Sequence, residues 1–138
     1  MTIRWLLHPG GRPTARLRRL GVRALRRLGH RAGEVGVLVC DDATIHALNR
    51  QYRHKDRPTD VLSFPAGGPS ADGSPYLGDV AISLETARRQ AARRRISLER
   101  ELEMLLLHAV IHLSGYDHET DRGEMARLEA GLRRELLR

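Results

Sequence analysis

The chain has 138 residues, with 24 lysines and arginines against 17 acids, for a formal net charge of +7. That length suits one domain able to bury a core without disulfides, and the single cysteine, Cys40, excludes an internal one. No run approaches 18 apolar residues and no signal-peptide pattern opens the chain, so a soluble, cytoplasmic protein with no membrane association is expected. The basic surplus is almost all arginine, with Lys55 the only lysine, and guanidinium forks grip phosphates in pairs, which favours a polyanionic partner. Aromatic content of 4% argues against extensive base-stacking platforms.

Taken in chain order, Ile3 to Leu7 predicts a short strand ended by Pro9, Gly10 and Gly11. From Thr14 to Leu28, Leu17, Leu20, Val22, Leu25 and Leu28 recur near helical spacing while arginines take the remaining surface. The lack of an aromatic anchor favours packing on a sheet over lying on a membrane. Glu34 to Cys40 is a valine-rich strand that leaves Cys40 a buried, inert thiol. Asp41 or Asp42 then caps a helix over Ala43 to Tyr52, with Ile45, Leu48 and Tyr52 on one side.

Val61 to Phe64 predicts a strand, Ala66 to Pro75 a loop and Gly78 to Leu84 another strand. Ser83 is placed to cap a helix from Leu84 to Arg95, whose outer face carries Arg88, Arg89, Arg93, Arg94 and Arg95. Ser97 starts a helix from Leu98 to Leu113 that is apolar nearly all round and so should be central and buried. Asp121 and Glu124 form a capping-box-like start to a last helix with the stripe Met125, Leu128, Leu132 and Leu136. The expected architecture is α+β (mixed α/β): residues 1–138 as one domain, about four strands packed with about five helices.

The buried helix runs into HAVIHLSGYDH, which sets His108, His112 and His118 at i, i+4 and i+10 with Gly115 between the last two. Residues four apart share a helix face at about 6 Å, so two imidazoles can reach one ion. A glycine in the left-handed conformation would stop the helix and bring the third back. An i, i+4 histidine pair arises often by chance, but the third histidine and the placed glycine together point to a metal. Three histidines leave one of zinc's four positions open, which suits catalysis. The spacing is that of the metzincin proteases, yet Ala109 stands where they carry a general-base glutamate, so a metal-dependent hydrolase fits and a protease does not.

Three segments in order, YRHKDRPTDVLSFP (Tyr52 to Pro65), LGDVAIS (Leu77 to Ser83) and HAVIHLSGYDH, resemble the YbeY family of bacterial endoribonucleases from roughly Val35 to Leu132. The resemblance implies a metal-dependent, single-strand-specific endoribonuclease of ribosomal RNA maturation, including the 3′ end of the small-subunit RNA, and of ribosome quality control. It implies one zinc ion on His108, His112 and His118, and RNA cleavage dependent on Arg53. Partners would be single-stranded ribosomal RNA and the ribosome or a small-subunit protein. Ala109 and Ile111 replace the family's usual glycine and leucine, changes a helix tolerates. The sequence ends at Arg138 without the acidic tail of some relatives.

Arg53 would stabilise charge on a phosphate; without the resemblance it would be read as pairing with Asp56 or Asp60. The base stays open between a metal-activated water, Asp117 and the RNA's own 2′-hydroxyl, and Asp117 can instead orient a ligating imidazole. One rival is a non-catalytic, RNA-binding ribosome-assembly factor whose ion is structural. The other is a metalloprotease-like hydrolase.

Overall fold

Strict alternation in one strand decides both faces of the sheet. In β2 (Glu34–Cys40) Val35, Val37 and Val39 are buried on one side, while Gly36 and Leu38 are half-buried on the other. The computed structural model describes residues 1–7, 14–66, 75–117 and 119–137. Around β2 it sets β1 (Thr2–Trp5), β3 (Val61–Pro65) and β4 (Tyr76–Ser83) in the order β1-β2-β4-β3, with β3 antiparallel to β4 and the other pairings parallel. The helices are α1 (Thr14–Arg27), α2 (Asp42–Arg53), α3 (Leu84–Arg94), α4 (Leu98–Leu113) and α5 (Glu124–Leu136). Among the described residues the fold is the expected α+β arrangement of four strands and five helices. No helix among the described residues is long and apolar enough to cross a membrane.

The register makes rows of side chains. Trp5, Val39, Ile82 and Val61 form one row and Ile3, Val37, Val80 and Ser63 the next, facing the main core under α1, α4 and α5. The opposite face carries the row Arg4, Leu38, Ala81, Leu62 and the row Thr2, Gly36, Asp79, Phe64. Here α2 buries Ile45 against Cys40, Leu62 and Ala81 and lays Leu48 beside them, a small second core. Tyr52, on that same side, packs its edge on Phe64 at the end of the next row but stays 56% exposed, because beyond Phe64 the row offers only Asp79 and Gly36.

The helix ends follow local chemistry. Asp41, not Asp42, is the N-cap of α2 and accepts from the Thr44 amide at 2.8 Å. Asp42 instead reaches across to α3. It accepts from Ser83 Oγ at 2.5 Å, Thr86 Oγ1 at 2.6 Å and Arg89 Nη2 at 2.8 Å, while its amide donates to Glu85. Ser83 and Ser97 cap α3 and α4 as expected. In the last helix the reciprocal capping is displaced: Gly123 is the N-cap, Asp121 accepts from the Gly123 and Met125 amides, and Glu124 accepts from the Arg122 amide. The first strand lies at Thr2–Trp5 rather than Ile3–Leu7, since Leu6 faces outward at 49% exposure. The turn at Pro9, Gly10 and Gly11 and most of the loop between Ala66 and Pro75 lie outside the described residues.

Two outcomes follow from this packing. Asp42→Ala leaves the buried Ser83 hydroxyl without its acceptor, an expected loss of about 1–3 kcal/mol in urea denaturation. Burial, reinforced by Asp41 and Asp42, pushes the Cys40 thiol up to about 11. Native protein is therefore expected to react with a thiol-specific disulfide reagent at pH 8 only after unfolding, and rapid native-state reaction would contradict this placement.

Candidate active site

Along α4 every residue from Glu101 to Leu113 is buried except Met104, His108 and His112. These three stand one turn apart and form a single half-exposed stripe on an otherwise enclosed helix. Leu102, Leu106, Leu107 and Ile111 fill the interior around it, so the histidines are mounted on the most rigid element of the fold. Gly115 ends the helix at φ 105, and its amide donates to the His112 carbonyl at 3.0 Å. The chain then turns back, and Asp117 and Glu119 come to line the same pocket as His108 and His112. His118, the third predicted ligand, lies outside the described residues.

That pocket encloses about 270 Å3. Its far wall is built by the exit from α2. His54 takes the left-handed conformation at φ 58, its amide and that of Lys55 both donate to the Asn49 carbonyl, and the buried Asn49 side chain holds the Arg57 carbonyl at 2.9 Å. These bonds curl the chain so that Arg53, Lys55 and Arg57 all face the histidines' pocket. Arg53 pairs with neither Asp56 nor Asp60. Asp56 meets His46 at 2.7 Å, and Asp60 accepts from the Val61 amide and from Gln90. One Arg53 nitrogen donates to the Ser63 carbonyl on β3, which leaves the rest of the guanidinium fork directed to no acidic partner among the described residues.

The carboxylate that orients an imidazole is Glu129, from α5. Its Oε1 meets His108 Nδ1 at 2.7 Å, and its Oε2 accepts from Arg133 at 2.6 Å. With Nδ1 engaged, a bond from His108 to a metal falls to Nε2. Asp117 lines the pocket as well, and its Oδ1 accepts from the Glu119 amide at 3.0 Å. Ala109, buried, lines the pocket where a longer acid would intrude. Sequence reasoning missed Glu129, Lys55, Arg57 and Asn49. Lys55 and Arg57 lie within the YRHKDRPTD motif, and Glu129 falls on the stripe with Met125, Leu132 and Leu136, a local sign of a buried acid, but its partner is 21 residues away.

A donor set of two neutral-capable imidazoles on successive turns, one backed by a carboxylate, fits a borderline divalent ion. Among the described residues, no three His, Cys, Asp or Glu side chains cluster closely enough to hold an ion.

The His108–Glu129 pair gives metal-free protein a pH signature. The Glu129 hydrogen bond holds the His108 imidazole above its ordinary 6.5, against the opposing effect of burial. Burial alone would raise the Glu129 carboxyl, but His108 and Arg133 hold it below its ordinary 4.5. The raised histidine contributes stability that is complete below 6.5 and lost as pH rises through its folded value. The lowered glutamate contributes stability that is complete above 4.5 and lost as pH falls through its own. Both are present between those limits. Thermal denaturation of metal-free Glu129→Gln is expected to show a loss of about 1 kcal/mol or less in that window, shrinking on either side; a loss independent of pH would contradict the pairing.

The model of the family described as Endoribonuclease YbeY matches residues 16–137. The chain is 48% identical over 130 residues to the endoribonuclease YbeY of an Anaeromyxobacter species, covering 92% of this chain and 67% of that protein. It is 44% identical over 126 residues to that of Geobacter metallireducens, covering 89% and 83%. A Solibacter usitatus relative is 52% identical over 99 residues, with 72% and 63% covered, so this chain spans roughly two thirds of the length of several such relatives. The solution structure of the Thermotoga maritima protein TM1509 has the same fold, with a TM-score of 0.66 at 27% identity over 98% of this chain and 89% of that one. With the motifs, the fold and these relatives in agreement, the chain belongs to the endoribonuclease YbeY family of hydrolases acting on RNA.

Proposed function

We propose that the chain is a metal-dependent, single-strand-specific endoribonuclease of ribosomal RNA maturation, acting in the cytoplasm at the 3′ end of the small-subunit RNA and in ribosome quality control, with His108, His112 and His118 holding one zinc ion. The observation that carries this reading is the opening in α4: two histidines on successive turns of a buried helix, facing three cations across one small pocket. His118 falls between Asp117 and Glu119, both of which line that pocket, which supports its assignment as the third ligand. The Glu129 bond to His108 Nδ1 supports it further, because ligating imidazoles are commonly backed by a carboxylate.

A bound ion would supply Lewis acidity toward a phosphodiester. The chain's own groups do the rest. Arg53, fixed by Ser63, neutralises charge on the scissile phosphate, and Lys55 and Arg57 hold its neighbours. Asp117, steadied by the Glu119 amide, is placed to take a proton from the attacking oxygen. Ala109 leaves the wall without the acid that a peptide hydrolase uses at that position, which speaks against protease chemistry.

Metal analysis of purified protein, followed by incubation with single-stranded and duplex RNA with and without chelator, tests the reading. Zinc, cleavage of the single strand alone and loss of cleavage with chelator are expected. His112→Ala is expected to lose the metal, whereas Arg53→Ala keeps it and loses cleavage by roughly 10²–10³-fold. Full cleavage by metal-free protein would end the metal-hydrolase assignment. Retained metal with RNA binding and no cleavage would leave the assembly-factor reading, for the role of a partner in ribosome assembly.

A further inference from the structure

The sheet face that α2 leaves uncovered is an open groove of about 880 Å3, within the range of about 300–1,000 Å3 that accommodates small ligands. Its floor is the row Thr2, Gly36, Asp79, Phe64, and Leu48 and Tyr52 of α2 form its wall. It is not separate from the histidine pocket: Arg53, Ser63 and His112 line both. Whatever enters the groove therefore lies next to whatever the histidines and Arg53 hold.

Three features say what enters. Tyr52 stands edge-to-face on Phe64, with ring centroids 5.5 Å apart at 71°, yet stays 56% exposed, a braced aromatic surface open to a ligand. Tyr52 immediately precedes Arg53, so a ring and a phosphate-gripping fork project from adjacent positions of one helix end. Asp79 lies on the floor, its carboxylate accepting from the Tyr76 hydroxyl and occupying the space where a Cβ on Gly36 would meet it at 2.5 Å. A carboxylate there repels a phosphate. A strand gripped at Arg53 must therefore turn a base, not its backbone, toward the floor.

We propose that this groove is a nucleobase subsite of the RNA site, in which Tyr52, braced by Phe64, stacks the base next to the phosphate held at Arg53. The assignment rests on the ribonuclease reading above. Stacking is blind to base identity, since every base has a π-face, so Tyr52 contributes grip and a requirement for an unpaired base rather than a sequence code. The same requirement explains single-strand preference from the groove side: a paired base cannot leave its partner to lie on Tyr52 without the cost of unstacking.

The test uses the metal-loaded protein and a single-stranded oligoribonucleotide in which one abasic ribose is walked along the chain. Wild-type protein is expected to lose cleavage when the abasic position adjoins the cut. Tyr52→Ala is expected to keep its metal and melting temperature, to raise KM roughly 5- to 150-fold at little changed kcat, and to become indifferent to that abasic position. Tyr52→Trp restores KM. Independently of turnover, aminopurine placed at the sensitive position is expected to be quenched by the wild type and not by Tyr52→Ala. Unchanged KM and abasic profile in Tyr52→Ala would overturn the subsite. So would RNA binding without aminopurine quenching, which would hand the groove to a protein side chain. Absence of any RNA cleavage by the wild type, with quenching intact, would overturn the nuclease reading while upholding the base subsite.

Discussion

Everything in this protein is arranged around the burial of α4. Leu102, Leu106, Leu107, Val110 and Ile111 are fully enclosed, and each such side chain contributes about 1.5–3 kcal/mol when removed from water. To enclose them the sheet lies on one side, contacting through β3 and β4, while α1, α3 and α5 take the others. One stripe is left open, and it carries the two described histidines. The site is thus a gap in the packing around one buried helix rather than a loop added to a finished scaffold, and its rigidity is that of the core.

The same enclosure sorts the arginines. Read as a sequence, the basic surplus looks like one phosphate-binding surface, including an arginine face on α3. In the structure part of it is held by carboxylates of the fold. Glu101, fully buried on α4, takes Arg94 in two hydrogen bonds of 3.0 Å, and Glu103 takes Arg16 at 2.7 Å. Arg89 is bound by Asp42, and Arg27 by Glu135. Buried carboxylates need such partners, since an unpaired charge inside the core would cost several kcal/mol. The cations that face the histidines are a different set, Arg53, Lys55 and Arg57, and they come from the curl that follows α2.

How much of the site was legible depended on how local its cause was. His108, His112 and Gly115 could be read because helical spacing and a left-handed turn are properties of neighbouring residues, and Gly115 does adopt positive φ. Arg53 was found by the resemblance of its motif, not by any rule of spacing. Glu129 was overlooked although its position, four after Met125 and three before Leu132, sets it on the buried stripe of α5; which group it meets there shows only when α5 is laid against α4. The side of α2 that Tyr52 shares was legible, but not how far that side is covered. Periodicity sets Tyr52 beside Leu48, but the cover depends on the strands beneath, where Phe64 of β3 meets the ring while Gly36 of β2 and Asp79 of β4 leave it open.

By itself the sequence determined the elements, the caps at Ser83 and Ser97, the enclosure of α4 and the spacing of the histidines upon it. Each of these follows from hydrogen bonds and periodicity within a few residues. Only the tertiary structure decided which carboxylate backs His108, which cations face it and which half of the sheet stays open beside it. Those choices join residues tens of positions apart, and they were made when packing α4 out of water forced β3, α2 and α5 into register around it.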